Sequence, residues 1–386
     1  MTTRRSMLGV LGALPVAASA TLATAGSAYA DTGSGALGPG GEFDRFVAGL
    51  AARDEFSGNV LVTRHGRTVL ARSYGWADRA RGVRNSPDTR FAMASVTKLF
   101  TAVAVARLAQ DRKLYYKSTI GEYLDGFAPA VADHVTVHHL LTHTSGLGDY
   151  MQAPGFWDVA ATWASAGQML AGPLGFIRAE TPAFAPGAGM SYSNSGFHVL
   201  GAIVAKAAGS SYYDYVRTAV FERAGMAATE FAAKPEFSTD RRFAHPYPTA
   251  ADGTRSDDVA GRLYQGTPSG DAYTTCRDLD TFARALLGDR LLEPAFTRLT
   301  LNGKVLLPSP PGPPPATSRL RTAMQAYGPV AALVTDEWVV GHGGGSPGES
   351  TSLDMYTGSG WVVTVLANYD NAAQAVAMAA RDLIKA

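Results

Sequence analysis

Strand-forming runs lie toward both ends of this chain with a helix-rich middle between them, so a large sheet has to be assembled from the two ends. Near the start, Ser57 to Gly66 and Arg67 to Arg72 cluster β-formers around a glycine turn, the pattern of a hairpin. Near the end, Glu337 to His342, Ser350 to Tyr356 and Trp361 to Asn368 are strand-like runs separated by Gly-rich turns, and a helical pattern follows from Asn371 to Ile384. The pattern also turns helical from Thr97 to about Leu114, and Ala, Leu and polar residues dominate from there to about Arg223. The expected fold class is α+β: an antiparallel sheet formed from both ends of the chain and flanked by helices, plus an inserted, mostly helical domain. The sheet domain is expected over 31–92 and 270–386, the helical domain over 93–269, and a cleft at their junction. Pro308 to Pro315 sustains neither helix nor central strand and reads as a surface loop or mobile segment.

The first thirty residues read as a targeting segment. Arg4 and Arg5 precede a small-residue apolar stretch that ends at Ala28-Tyr29-Ala30. A twin-arginine signal is expected, with a secreted mature protein starting near Asp31. The stretch falls short of the roughly 20 strongly apolar residues that spanning needs, so no stable membrane anchor is expected after signal removal. The single cysteine, Cys276, forms no internal disulfide, and the fold must stand on its core, for which a hydrophobic fraction of 46% is ordinary. The 34 basic and 33 acidic residues leave a net charge of +1 with no basic run among aromatics, which argues against nucleic acid as a partner.

Ser95-Val96-Thr97-Lys98 is the only S-x-x-K in the sequence and sets a hydroxyl and an amine three residues apart. On a helix starting near Ser95 the two share a face, which makes a nucleophile with its own base. An ordinary lysine, with a pKa of about 10.4, is protonated at neutral pH, so Lys98 must be desolvated to take a proton. Lysine is scarce here, at seven residues, which makes Lys98 a less casual choice. Tyr192 and Asn194 lie two apart in the loop-like Pro186 to Gly196, where extended backbone points both side chains the same way. A lysine ammonium nearby is expected to lower the Tyr192 phenol's pKa and let it relay a proton, with Asn194 orienting the lysine or a substrate amide. Tyr369-Asp370-Asn371 repeats the Y-x-N pattern at a strand exit and is discounted. In Gly341-His342-Gly343-Gly344-Gly345-Ser346-Pro347-Gly348, glycines let backbone approach a ligand closely, and a free N–H there can pair with that of Ser95 to hold an oxyanion.

These three elements, in this order, resemble the serine β-lactamase and D-alanyl-D-alanine carboxypeptidase superfamily, especially its class C-like branch with related esterases and D-aminopeptidases. Leu140 to Leu147 and Gly270 to Thr275 extend the resemblance, which covers nearly all of the mature chain. It implies Ser95 as acylated nucleophile, Lys98 as base, Tyr192 as proton shuttle, Asn194 in contact with substrate, and Gly345 as the second oxyanion donor. His342 stands where many relatives have lysine. Gly343 stands where penicillin-recognising relatives usually carry Thr or Ser, and no arginine is expected near this turn to replace that hydroxyl as a carboxylate holder. The resemblance therefore implies a small-molecule or peptide ester or amide as substrate, no metal and no organic cofactor. D,D-carboxypeptidase or β-lactamase activity, acyl transfer from the same acyl-enzyme, and a non-turnover β-lactam sensor are the alternatives.

Two rival chemistries are weaker. Gly344 to Gly348 matches G-x-S-x-G, but no histidine follows Ser346, and Pro347 lacks the N–H that such a nucleophile elbow needs. His134, His138, His139 and His143 have metal-like spacings, yet no H-E-x-x-H occurs, and Thr136 before an apolar run reads as the cap of a helix with surface histidines.

Overall fold

The structure is a computed structural model and describes residues 34–308 and 319–384. The expected secretion signal and all but the first residue of the Pro308 to Pro315 segment lie outside the described residues. Eight strands form one antiparallel sheet: β1 (Gly58–Arg64), β2 (Arg67–Tyr74), β3 (Val305–Leu306), β4 (Leu320–Gln325), β5 (Val330–Val334), β6 (Glu337–Ser346), β7 (Glu349–Tyr356) and β8 (Trp361–Ala367). Their order is β2-β1-β8-β7-β6-β5-β4-β3. β1 pairs with β8 from Gly58 opposite Ala367 to Arg64 opposite Trp361, which joins the early hairpin to the late strands as expected. Strands β3 to β5 extend the sheet beyond the sequence reading, because short runs such as Leu-Arg-Thr-Ala-Met-Gln alternate poorly.

The helices used below are α1 (Glu42–Ala52), α2 (Lys98–Gln110), α3 (Val137–Leu141), α4 (Ala166–Arg178), α5 (Asn194–Ala208), α6 (Cys276–Leu287) and α7 (Ala372–Leu383). Helices on both faces of the sheet explain why every residue of β8 is buried. The period of two sorts them: Val363, Val365 and Ala367 join the core under α1 and α7, while Val362 and Leu366 join the larger core shared with the helical body. Each of these valine and leucine side chains contributes about 1.5–3 kcal/mol of burial. On the α7 face, Arg381 grips Asp354 of β7 through two bonds of 2.6 Å.

One expectation is corrected. The glycines after His342 are not a turn: β6 continues through Gly343, Gly344 and Gly345, which pair with Ser352, Thr351 and Ser350 of β7. The reversal comes at Pro347 and Gly348, where Gly348 takes the left-handed φ of 73°. Glycine is required at Gly344 for another reason, since a Cβ there would stand 2.8 Å from the Met93 carbonyl oxygen and 2.9 Å from the Ser95 nitrogen. The missing side chain lets the segment carrying Ser95 lie directly on β6.

Candidate active site

Ser95 sits in a single 3₁₀ turn, Ala94 to Thr97, that runs directly into α2 at Lys98. Ala94 before it adopts φ of 43°, a conformation that L-residues disfavour, and its carbonyl accepts from the Asp271 N–H at 3.2 Å. Helix α2 is buried almost all round, with Phe100 edge-on to Phe221 and Phe282 at 4.9 Å each. That packing carries Lys98, the first residue of the helix, to zero exposure.

The Lys98 Nζ is 3.1 Å from Ser95 Oγ, 2.7 Å from Asn194 Oδ1 and 2.5 Å from the Ser269 carbonyl oxygen. None of these partners is a carboxylate. Burial therefore dominates and pulls the lysine down to about 7, against a smaller upward pull from Asp149 and Asp271. Near neutrality the amine is present in both forms. Neutral Nζ has two N–H bonds and one lone pair, and its two carbonyl-type partners can only accept. They take the N–H bonds, and the lone pair is left facing Ser95 Oγ.

Tyr192 donates to the same oxygen at 2.7 Å. Burial pushes its phenol well above the ordinary value, and the hydrogen bond to Ser95 only partly opposes this. The expectation of a lowered phenol is thus reversed. The physical reason is that the nearby amine is itself stripped of charge, while the ring is enclosed by His143, tilted against it at 4.6 Å, and by Lys98 over its face at 4.8 Å. Tyr192 is held as a neutral O–H donor. Asn194 opens α5 behind the Ser193 cap, whose hydroxyl accepts from the Gly196 N–H, and this puts the amide opposite Lys98.

On β6, the His342 ring lies 6.3 Å from that of Tyr192. Burial lowers the imidazole to about 4, so it is neutral where a lysine would be charged. Its Nδ1 is engaged by the Gly343 carbonyl oxygen. A Cβ at Gly343 or Gly345 would meet nothing closer than 3.8 Å, so Gly343 leaves room that a hydroxyl-bearing side chain would fill. Gly345 follows Gly344, the residue that lies against the Ser95 nitrogen.

Long-range packing corrects another expectation. Arg262, distant in sequence, does reach this turn, donating to Ser346 Oγ at 2.8 Å and to the Pro347 carbonyl oxygen at 2.5 Å. It is also paired with buried Glu349 at 2.9 Å, so its charge is already matched. Sequence reasoning also missed Asp149, Ser269 and Gly344. Only Gly344 left a signal, within its run of glycines.

The discounted motifs lie elsewhere. Tyr369 donates to Asp54 at 2.7 Å. Thr136 caps α3 as expected, and His134 is exposed as expected, but His138 and His139 are half-buried and His143 is buried. His138 contacts Tyr327 at 2.9 Å, His139 accepts from the Thr136 N–H and His143 from the Ser193 N–H, so the rings serve different partners. Asp78, His245 and Asp257 bring potential metal-ligating atoms within 4.8 Å of one another. Arg81 bonds to Asp78 and lies 3.2 Å from His245 Nε2, so a guanidinium already occupies that cluster. Among the described residues no helix is long and apolar enough to cross a membrane.

The Beta-lactamase family model matches residues 43–386. Penicillin-binding protein 4* of Bacillus subtilis (strain 168) is 34% identical over 184 residues, covering 47% of this chain and 39% of its own length. Esterase EstB of Burkholderia gladioli is 37% identical over 199 residues, 49% of each chain. The chain thus spans about half the length, or less, of these two curated relatives. Among solved structures, a penicillin binding protein from Bacillus halodurans superposes with a TM-score of 0.77 at 28% identity, covering 88% of this chain and 99% of that one.

Proposed function

Because this chain belongs to the Beta-lactamase family, we propose that it is a serine hydrolase acting through an acyl-enzyme on Ser95, with an ester or a neutral amide as substrate. The observation that carries this reading is a fully buried lysine whose three contacts are Ser95 Oγ and two neutral carbonyl-type oxygens. Neutral Lys98 takes the Ser95 proton as Oγ attacks the substrate carbonyl carbon. The backbone N–H groups of Ser95 and Gly345 hold the resulting oxyanion. Tyr192, hydrogen-bonded to Oγ, delivers a proton to the leaving oxygen or nitrogen as its bond to the acyl carbon breaks, and is reprotonated from Lys98. Water then adds to the acyl carbon, giving its proton back through the same pair, and the carboxylic acid leaves Ser95.

The preference for uncharged substrates rests on three residues. His342 is neutral, Gly343 has no hydroxyl, and Arg262 is matched by Glu349, so nothing described at this turn offers free positive charge to a carboxylate. The likeness to penicillin-binding proteins favours a second reading, a D,D-carboxypeptidase or weak β-lactamase. The paired arginines near the N-terminus support export through a twin-arginine route.

The test is a short-chain p-nitrophenyl ester run beside a fluorescent penicillin, with intact-mass detection of adducts. Rapid ester turnover without a penicillin adduct is expected, and Ser95→Ala is expected to abolish it. A stable penicilloyl adduct on Ser95 would favour the second reading. Full turnover in Ser95→Ala would overturn both.

A further inference from the structure

Resting on the reading of Lys98 as the base for Ser95, we propose that Asp149 is a positioning residue that locks the amide of Asn194 so that the lone pair of neutral Lys98 has only Ser95 to face. Asp149 Oδ2 accepts from Asn194 Nδ2 at 3.0 Å, and Asn194 Oδ1 accepts from Lys98 Nζ at 2.7 Å. An asparagine amide turned over exchanges oxygen for nitrogen with almost no change of shape, so its neighbours decide its orientation. Asp149 as a carboxylate can only accept. It therefore holds the NH₂ on its own side and leaves the oxygen for the lysine. With the amide reversed, an N–H would meet the Lys98 lone pair and compete with the Ser95 proton for it.

The loop that carries Asp149 is fastened to the start of α5 on both sides. The Gly148 carbonyl accepts from Ser193 Oγ at 2.8 Å and the Gly148 N–H donates to Glu180 at 2.8 Å. Ser195 Oγ donates to Glu180 and accepts from the Tyr150 N–H at 2.9 Å. Asp149 Oδ1 accepts from the Met151 N–H at 3.1 Å, which fixes its remaining oxygen. These bonds join the loop and the start of α5 into one hydrogen-bonded unit. The carboxylate also adds charge one amide away from the amine. The groups facing Lys98 are Ser95 on its own turn, Tyr192 and Asn194 at the start of α5, Ser269 and Asp271 on the loop before residue 273, His143 after α3, and His342 on β6. Of these, only Asp271 and, through the amide, Asp149 bring negative charge.

The experiment is the pH profile of kcat/KM for Asp149→Asn, Asn194→Asp and Glu180→Gln on the same ester. Asp149→Asn removes the charge and the acceptor-only constraint. It should move the acid limb to lower pH by about one unit and lower the plateau roughly tenfold to a hundredfold. Asn194→Asp puts a carboxylate against the amine and should move the limb upward, which keeps the test decisive if Asp149→Asn does not fold. Glu180→Gln loosens the loop without touching Asn194 and should lower Tm with the limb in place. A plateau that falls in Asp149→Asn while the limb stays, or an Asn194→Asp limb that does not rise, overturns the proposal. Turnover retained by Ser95→Ala would instead sink the reading on which it rests, and the two failures are told apart by that control.

Discussion

Each face of the sheet buries a cation, and the two are treated in opposite ways. On the α7 face, Arg381 meets Asp354 in a bidentate pair at 2.6 Å, and its guanidinium is held above its ordinary value by that carboxylate despite burial. On the opposite face, Lys98 meets only neutral oxygens and falls to about 7. Lys98 is fully buried and Arg381 keeps 20% of its side chain exposed, but the larger difference is in partner chemistry. A matched cation is a fixed structural clamp, and an unmatched one becomes a group that gains and loses its proton under working conditions.

Exchanging each cation for an apolar chain of similar length breaks the comparison most directly. Lys98→Met is expected to lower ester turnover by about 10²–10⁴-fold, the range of general-base catalysis, with Tm held or raised because a poorly solvated amine is gone. Arg381→Met is expected to do the reverse, costing about 3–5 kcal/mol of stability because Asp354 is left buried without its partner, while kcat per folded molecule stays within about twofold. Thermal melts and active-site titration on the two variants check both. A Lys98→Met enzyme that still turns over, or an Arg381→Met protein as stable as the parent, would erase the contrast.

The smallest effect concerns pH. Between about 7 and the ordinary lysine value the unfolded chain keeps the Lys98 proton and the folded chain has released it, so this group makes stability rise with pH. Arg381 stays charged in both states and contributes no slope. Burial also raises the Glu349 carboxyl, against the pull of its partner Arg262, and gives the opposite slope at lower pH. Urea titrations between about pH 7 and 9, below the range where buried Cys276 and Tyr192 give the opposite slope, should therefore show a more positive slope in Arg381→Met than in Lys98→Met. A slope that survives in Lys98→Met would mean that another group carries it.

The same contrast explains what could be read from the sequence. Contact between Ser95 and Lys98 follows from a spacing of three on a helical turn, and the union of the two chain ends follows from strands that alternate cleanly, such as β1 and β8. The glycine run announced close backbone approach without saying that Gly344 is the tight position or that the strand continues through it. Ser269 contributes a backbone carbonyl, which no side-chain pattern encodes. Arg262 reaches its turn, and Asp149 its amide, only through tertiary packing. The direction of the Tyr192 shift was missed because it depends on enclosure rather than on the identity of its neighbour. Side chains that touch within one helical turn were legible, and those whose chemistry is set by distant backbone or by dryness were not.

The pairing of β1 with β8 also governs when the protein becomes itself. A chain is made from its N-terminal side and domains fold as units, so the β1–β2 hairpin emerges early, with the edge that β8 will cover still unpaired. Ser95, Lys98 and Tyr192 emerge long before β6 supplies the strand against which Ser95 rests. Until β6 to β8 leave the ribosome, the nascent polypeptide has Ser95 without the strand it rests on and a sheet without its middle. Closure of the sheet and the arrival of the strand on which Ser95 rests are in this way a single event.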